Sequence, residues 1–336
     1  MKQALILTAV VLALSSCMKE LEKDKVYPAE QIPDEVKLDM VELTPQYSFR
    51  KYYDLSSSQV VASHRKTDWD LAFEALPGGK HIFLNSAKFM RAGNSGEEEF
   101  DKVTSTEGTQ MTFDDPSLNP DSTAIGLWQK PHPEVYIIDR GVDEQGNSVG
   151  YKKVKFVSLT GGRYTVQFAS LDGSNRHEAV IAKDSVSNHV MLSFENGGEV
   201  KYLQPPSQQW DLVFTQYTKT LFTDAGEPYP YLVVGVLSNR QRMVTAELEH
   251  PFTEVDAVAA DTAGMLPYAD LIGYDWKKLQ GDVETGNVSY TMRKPLTYII
   301  KETDNNTVYK LSFTDFYNEN SRKGYPTFEY QRLIMD

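Results

Sequence analysis

Trp69-Asp70-Leu71-Ala72-Phe73 and Trp210-Asp211-Leu212-Val213-Phe214 are one pentapeptide written twice, an indole and an acid followed by three apolar residues. The echo continues in the same order on both sides. Phe100-Asp101-Lys102-Val103 is answered by Phe252-Thr253-Glu254-Val255, and Ile125-Gly126-Leu127-Trp128 by Ile272-Gly273-Tyr274-Asp275-Trp276. Tyr136-Ile137-Ile138 then matches Tyr298-Ile299-Ile300, and Lys153-Val154-Lys155-Phe156 matches Lys310-Leu311-Ser312-Phe313. All four tryptophans of the chain fall into two equivalent pairs. A tandem duplication explains this economically, with each indole filling the same layer of its own core, where truncation to Ala costs about 3–5 kcal/mol.

Around these anchors the apolar residues recur with a period of two. Tyr164, Val166 and Phe168 alternate with polar neighbours, Val190, Leu192 and Phe194 follow the same rhythm, and Leu311 and Phe313 flank Ser312. That spacing predicts half-buried strands. Leu171-Asp172-Gly173-Ser174, Glu195-Asn196-Gly197-Gly198 and Thr303-Asp304-Asn305-Asn306 carry Gly, Asn or Asp where positive φ costs little, so each predicts a hairpin turn. Nineteen Tyr and fifteen Phe suit the same pleated surfaces. The expected fold class is all-β, two repeated antiparallel units with at most one short helix, begun by Pro251, rich in Ala from Asp256 to Asp261 and stopped at Gly264. The expected organisation is a first unit over residues 41–184 and a second over 185–336, preceded by an extended leader over 17–40.

The amino end reads as a targeting segment. Lys2 gives a positive start, Ala4 to Leu14 is apolar but too short to span a bilayer, and Leu14-Ser15-Ser16-Cys17 follows. Small residues before the chain's one cysteine match a bacterial lipoprotein signal over 1–16, with Cys17 taking a diacylglycerol anchor. Each buried CH₂ of such a lipid is worth about 0.8 kcal/mol, enough in several acyl chains to hold the protein at a membrane. Met18-Lys19-Glu20-Leu21-Glu22-Lys23-Asp24 is similar to the acidic surface-export signals of Bacteroidetes lipoproteins, which predicts display outward from the outer membrane.

The formal charge of −13 argues against nucleic acid as a partner, since phosphate backbones are held largely by Lys and Arg. No dinucleotide fingerprint, P-loop or His-Glu-x-x-His occurs, and Gly93-Asn94-Ser95-Gly96 lacks the spacing of a nucleophile elbow. The six histidines are scattered, without the paired spacing of a metal site. Acid runs such as Glu97-Glu98-Glu99 and Asp114-Asp115 suggest solvated loops rather than paired catalytic carboxylates. The chain therefore reads as a binding protein rather than an enzyme. Tyr217, Tyr229 and Tyr231, around Pro228 and Pro230, are aromatic faces able to stack on a sugar or a protein.

Trp69-Asp70-Leu71-Ala72-Phe73 leading to Arg91-Ala92-Gly93-Asn94-Ser95-Gly96, and Tyr298-Ile299-Ile300 through Phe313-Thr314-Asp315-Phe316-Tyr317 to Lys323-Gly324-Tyr325-Pro326-Thr327-Phe328, resemble the HmuY family of Bacteroidetes lipoproteins. The resemblance covers most of residues 41–336. It implies a compact all-β scaffold at the cell surface that captures haem and partners a TonB-dependent outer-membrane receptor. In that family haem is held by two axial side chains from loops, paired His or paired Met, both able to ligate iron. Between Phe252 and Tyr298 there is no His, and Met265 and Met292 are the two thioethers, so the resemblance makes them the axial candidates. Met111 and His132 occupy the comparable stretch of the first copy. A scaffold does not fix a ligand, and a non-haem adhesin or a glycan- or protein-binding lipoprotein is the alternative.

Overall fold

The computed structural model describes residues 34–128, 134–282 and 287–335, so Cys17 and His132 lie outside the described residues. The first strands are β1 (Lys37–Met40), β2 (Phe49–Asp54), β3 (Gln59–Arg65), β4 (Leu71–Glu74), β5 (His81–Leu84), β6 (Arg91–Asn94) and β7 (Gly126–Leu127). They are followed by β8 (Tyr136–Asp139), β9 (Tyr151–Thr160), β10 (Arg163–Ala169), β11 (His177–Ala182), β12 (His189–Ser193) and β13 (Glu199–Lys201). The rest are β14 (Leu212–Phe222), β15 (Pro228–Ser238), β16 (Met243–Leu248), β17 (Lys277–Asp282), β18 (Asn287–Met292), β19 (Thr297–Glu302), β20 (Val308–Tyr317) and β21 (Lys323–Leu333). The paired strands run antiparallel, as the hairpin turns predict.

The period-two reading holds where it was made. Tyr164, Val166, Phe168, Val190, Leu192 and Phe194 all enter one core, and Leu311 and Phe313 enter another. The three turns join β10 to β11, β12 to β13 and β19 to β20, with Gly173, Asn196 and Asn306 at positive φ. The helix α1 (Ala257–Asp261) is shorter than expected. Asp256 caps it, accepting from the Ala259 amide at 2.9 Å. Pro251 belongs instead to a separate 3₁₀ turn over Phe252–Glu254, because Val255 is extended and breaks the helical path between them.

Two sandwiches result. In the first, the sheet β11-β10-β9-β8-β6 packs on the sheet β13-β12-β4-β5-β7 around Phe73, Trp128, Phe156 and Phe168. In the second, β1-β21-β20-β19-β16 packs on β15-β14-β2-β3 around Tyr53, Phe214, Trp276 and Phe328. A two-stranded ribbon, β17 with β18, stands beside the second. The sequence repeats and the sandwiches are out of phase. β1 to β3 open the chain yet build the second sandwich, whereas β11 to β13 complete the first. The end of the expected leader is thus structured, with Lys37 opposite Tyr330 and Met40 opposite Thr327.

The duplication is exact enough to be read bond by bond. The Asn85 side-chain amide donates to the carbonyls of Lys66 and Trp69 at 2.7 and 2.8 Å, and that of Asn239 to Ser207 and Trp210 at 2.9 and 3.0 Å. Trp69 and Trp210 therefore occupy equivalent places. Lys153 stands over Phe100 at 5.0 Å and donates to the Val103 carbonyl, and Lys310 stands over Phe252 at 4.5 Å and donates to the Val255 carbonyl. The two acids of the repeated pentapeptide are buried. Burial pushes the Asp70 carboxyl up, but Lys88 and Arg140 outweigh that and hold it below the usual carboxylate range. Asp211 instead pairs with Arg242 at 2.8 Å, a guanidinium it shares with Glu302 at 2.6 Å. Asn188 donates to Asn239 at 2.7 Å and Gln241 to Glu74 at 3.2 Å, joining the sandwiches across their facing sheets.

Candidate functional site

One hairpin differs sharply between the copies. β4 and β5 run four residues each, but their counterparts β14 and β15 run eleven, paired without a break from Leu212 opposite Ser238 to Phe222 opposite Pro228. The extra length projects β15 past the body of its sheet. β15 is an edge strand, and Pro228 and Pro230 remove two donors from it, a common way of blunting an open edge. Beside that edge lies the β17–β18 ribbon, where Leu279 faces Tyr290 across the pair.

Between edge and ribbon is a cleft of about 480 Å³, within the ~300–1,000 Å³ usual for ligand pockets. Five tyrosines line it, Tyr47, Tyr229, Tyr231, Tyr274 and Tyr290, with Leu221, Leu232 and Leu279 between them. Two cations complete the wall, Lys277 and Lys323. Residues of both parities of β15 reach the cleft because the cleft follows the strand's edge rather than one face.

Lys277 sets the electrostatics. Its ammonium donates to the carbonyls of Val234 at 2.5 Å and Tyr274 at 3.1 Å, and lies 4.1 Å from the Trp276 ring and 4.9 Å from Phe316. Burial pushes its pKa down to about 7, and Asp275 only partly opposes that. The Tyr47 phenol is driven up by burial, reinforced by Tyr290, Tyr317 and Tyr231. The Tyr290 backbone N–H donates to the Tyr317 hydroxyl at 2.7 Å, which fixes the ribbon against β20. Flat aromatic walls with one buried and one rim cation suit a planar ligand carrying negative charge.

The expected thioethers lie elsewhere. Met292 ends β18 opposite Lys277 and packs against the second core. Met265 packs against Ala246, Val255, Ala260, Ile299 and Val308, a satellite cluster on the other side of β19. Met111 does the same in the first copy, against Phe100, Val103, Val135 and Ile137. The equivalence is close, since the next residues, Thr112 and Leu266, bridge to Ala92 and Thr245 in the same antiparallel way. Met265 and Met292 therefore rest on different clusters, and the cleft is lined by neither. Among the tyrosines singled out in the sequence, Tyr217 is wholly buried, whereas Tyr229 and Tyr231 are 40% and 55% exposed and face the cleft. Tyr47, Tyr274, Tyr290 and Lys277 were not singled out. The one local signal was the pairing of Lys277 with the repeat anchor Trp276.

Among the described residues no cluster of three or more His, Cys, Asp or Glu is placed to hold a metal ion. No described helix is long and apolar enough to cross a membrane. Another cavity, of about 460 Å³, lies in the first sandwich between the glycine turns at Gly78-Gly79 and Gly161-Gly162, but it is open and has no aromatic wall.

The family described as HmuY protein matches this chain twice, over residues 46–183 and 185–330. No curated protein matches it. Among solved structures, apo PinO from Porphyromonas gingivitis aligns at 11% identity with a TM-score of 0.30, covering 90% of this chain and all 100% of its own. The apo HmuY analog of Tannerella forsythia aligns at 11% identity and a TM-score of 0.26, with the same 90% and 100% coverage. An HmuY-like protein of Bacteroides vulgatus aligns at 16% identity and a TM-score of 0.23, over 53% of this chain and 90% of its own. At such scores these likenesses carry no functional argument.

Proposed function

The chain belongs to the HmuY family, and from that premise we propose that it is a lipid-anchored surface protein that captures haem in the tyrosine cleft of its second sandwich. The observation that carries the reading is the cleft itself, formed where β14 and β15 outgrow their counterparts and walled by flat aromatic faces. A macrocycle enters edge-on between β15 and the ribbon and stacks on Tyr231 and Tyr290. Cys17, acylated after removal of residues 1–16, tethers the protein to the outer membrane, and a TonB-dependent receptor takes the cargo onward. Met265 and Met292 are the thioether ligand candidates. Their use requires each to leave the apolar cluster it now packs on, whereas Tyr229 and Tyr231 already line the cleft, and tyrosine also ligates haem iron.

The test is a hemin titration of the chain from residue 18 onward, followed in the Soret region. A sharp band saturating at one haem per chain supports the reading, and its loss or shift in Met265→Ala, Met292→Ala or Tyr231→Phe identifies the ligand. No band in either oxidation state sinks it. The second reading, a glycan- or protein-binding adhesin, is favoured by the 65% exposure of Phe222 at the hairpin tip beside Tyr229. A glycan array and capture from outer-membrane fractions separate the two.

A further inference from the structure

Lys277 is a buried amine whose polar partners among the described residues are backbone carbonyls rather than a carboxylate, so a bound anion would hold it protonated. An ammonium has three N–H donors. Two go to Val234 and Tyr274, the third has no further polar acceptor among the described residues, and Lys277 lines the cleft. Asp275, the acid that reaches it electrostatically, is paired with Arg293 at 3.3 Å. The ring faces of Trp276 and Phe316 replace part of the lost water but carry no formal charge. At the rim, Lys323 stands 5.5 Å over the Tyr47 ring. Among the described residues these two Lys side chains have no carboxylate partner at the cleft, in a chain whose net charge is −13. The walls between them are aromatic, and Tyr47, Tyr231 and Tyr290 lie close enough to feel one another's charge.

We propose that the cleft recognises a flat aromatic ligand by its carboxylates, one pairing with Lys277 inside the cleft and another with Lys323 at the rim. The inference rests on the reading of this cleft as the haem site and adds that the ligand is selected at its carboxylated edge rather than at its iron. Charge-assisted bonds of this kind are short and strong because donor and acceptor are both ionised. The second copy alone carries the site among the described residues, since β4 and β5 are too short to build the wall.

The experiment titrates the chain from residue 18 onward with hemin, iron-free protoporphyrin and the dimethyl ester of that protoporphyrin, following intrinsic fluorescence. The expected result is that the iron-free acid binds one per chain within about tenfold of hemin and the ester at least about tenfold more weakly. Lys277→Met weakens the acid by about tenfold and leaves the ester unchanged, and Lys323→Ala, on the exposed rim, weakens the acid by about threefold. Should Lys277→Met not fold, the acid-against-ester comparison and Lys323→Ala still decide. Equal binding of acid and ester overturns the inference. Binding of hemin without binding of the iron-free acid also overturns it while leaving the haem reading in place. Failure of all three ligands removes both.

Discussion

The backbone amide of Leu55 donates to the Asp211 carboxylate at 2.8 Å, so the hairpin that opens the first repeat closes the network of the second. The first sandwich makes the same bond in mirror order, from the Phe194 amide to Asp70 at 2.7 Å. Each repeated acid thus accepts a backbone amide from the other repeat. Residues 66–205 contain every strand of the first sandwich, whereas 185–336 lacks β1 to β3 and with them Val41, Leu43, Tyr53 and Leu55 of the second core. We expect the 66–205 fragment to unfold cooperatively in urea and the 185–336 fragment to show no cooperative transition. A cooperative 185–336 fragment would refute the exchange as a requirement for folding.

Trp276 stacks on Phe313 with centroids 4.0 Å apart and meets Phe316 edge-on. Trp276→Ala should cost about 3–5 kcal/mol in equilibrium unfolding, as large-to-small aromatic changes in cores do. Because Trp276 also cages Lys277, the variant should lose ligand binding even where it stays folded. Trp128→Ala, the equivalent change in the first sandwich, should cost a similar amount and leave binding intact.

Asp70 is almost wholly buried between Lys88 and Arg140. Asp70→Ala strands the buried Lys88 and leaves Arg140 with Glu195 alone, and should destabilise by about 3–5 kcal/mol, the usual result of removing one partner of a buried pair. Replacing Asp70 and Lys88 together by apolar residues should recover part of that loss. Urea midpoints of the single and double variants check both statements.

Desolvated histidines should cost stability in mild acid, His189, pushed down to about 3, among them, while Asp114 and Asp211, pushed by burial up to about 7, oppose them over the same window. Burial pushes both His64 and His81 from 6.5 down to about 4, with Arg50 adding to the effect at His64 and Arg240 at His81. The unfolded chain takes up these protons below about pH 6.5, and the folded chain refuses them until about pH 4. The stabilisation is therefore complete above the unfolded value and is lost as pH falls through this window, at up to about 1.4 kcal/mol per pH unit for each ring. Urea midpoints at pH 7.5 and pH 5 register the balance, and the double variant His64→Gln, His81→Gln should raise the pH 5 midpoint relative to the pH 7.5 midpoint. An unchanged slope in that variant would exclude these two rings as its source.

The legible part of the fold was its local part. Alternation around Tyr164-Val166-Phe168 is a property of a strand's own pleat, and Gly173 or Asn196 marks a turn because positive φ is cheap there, whatever the strands later pair with. The repeated Trp-Asp-Leu stretch was legible because the same core layer demands the same residues twice. The role of Met265 was not legible for a physical reason: a thioether that fills an apolar gap and one that ligates iron look alike in a sequence, and its packing, matched by Met111, is visible only in three dimensions.

By itself the sequence determined the strands, their turns and the tandem copying, all set by patterns legible along the chain. Only the tertiary structure decided which hairpin completes which sandwich, because strand pairing is a competition between distant edges that no local pattern records. It also decided the cleft. Tyr47, Tyr231, Lys277 and Tyr290 come from four separate segments, and the desolvation that strips Lys277 of its water exists only once the edge of β15 and the ribbon have closed around it.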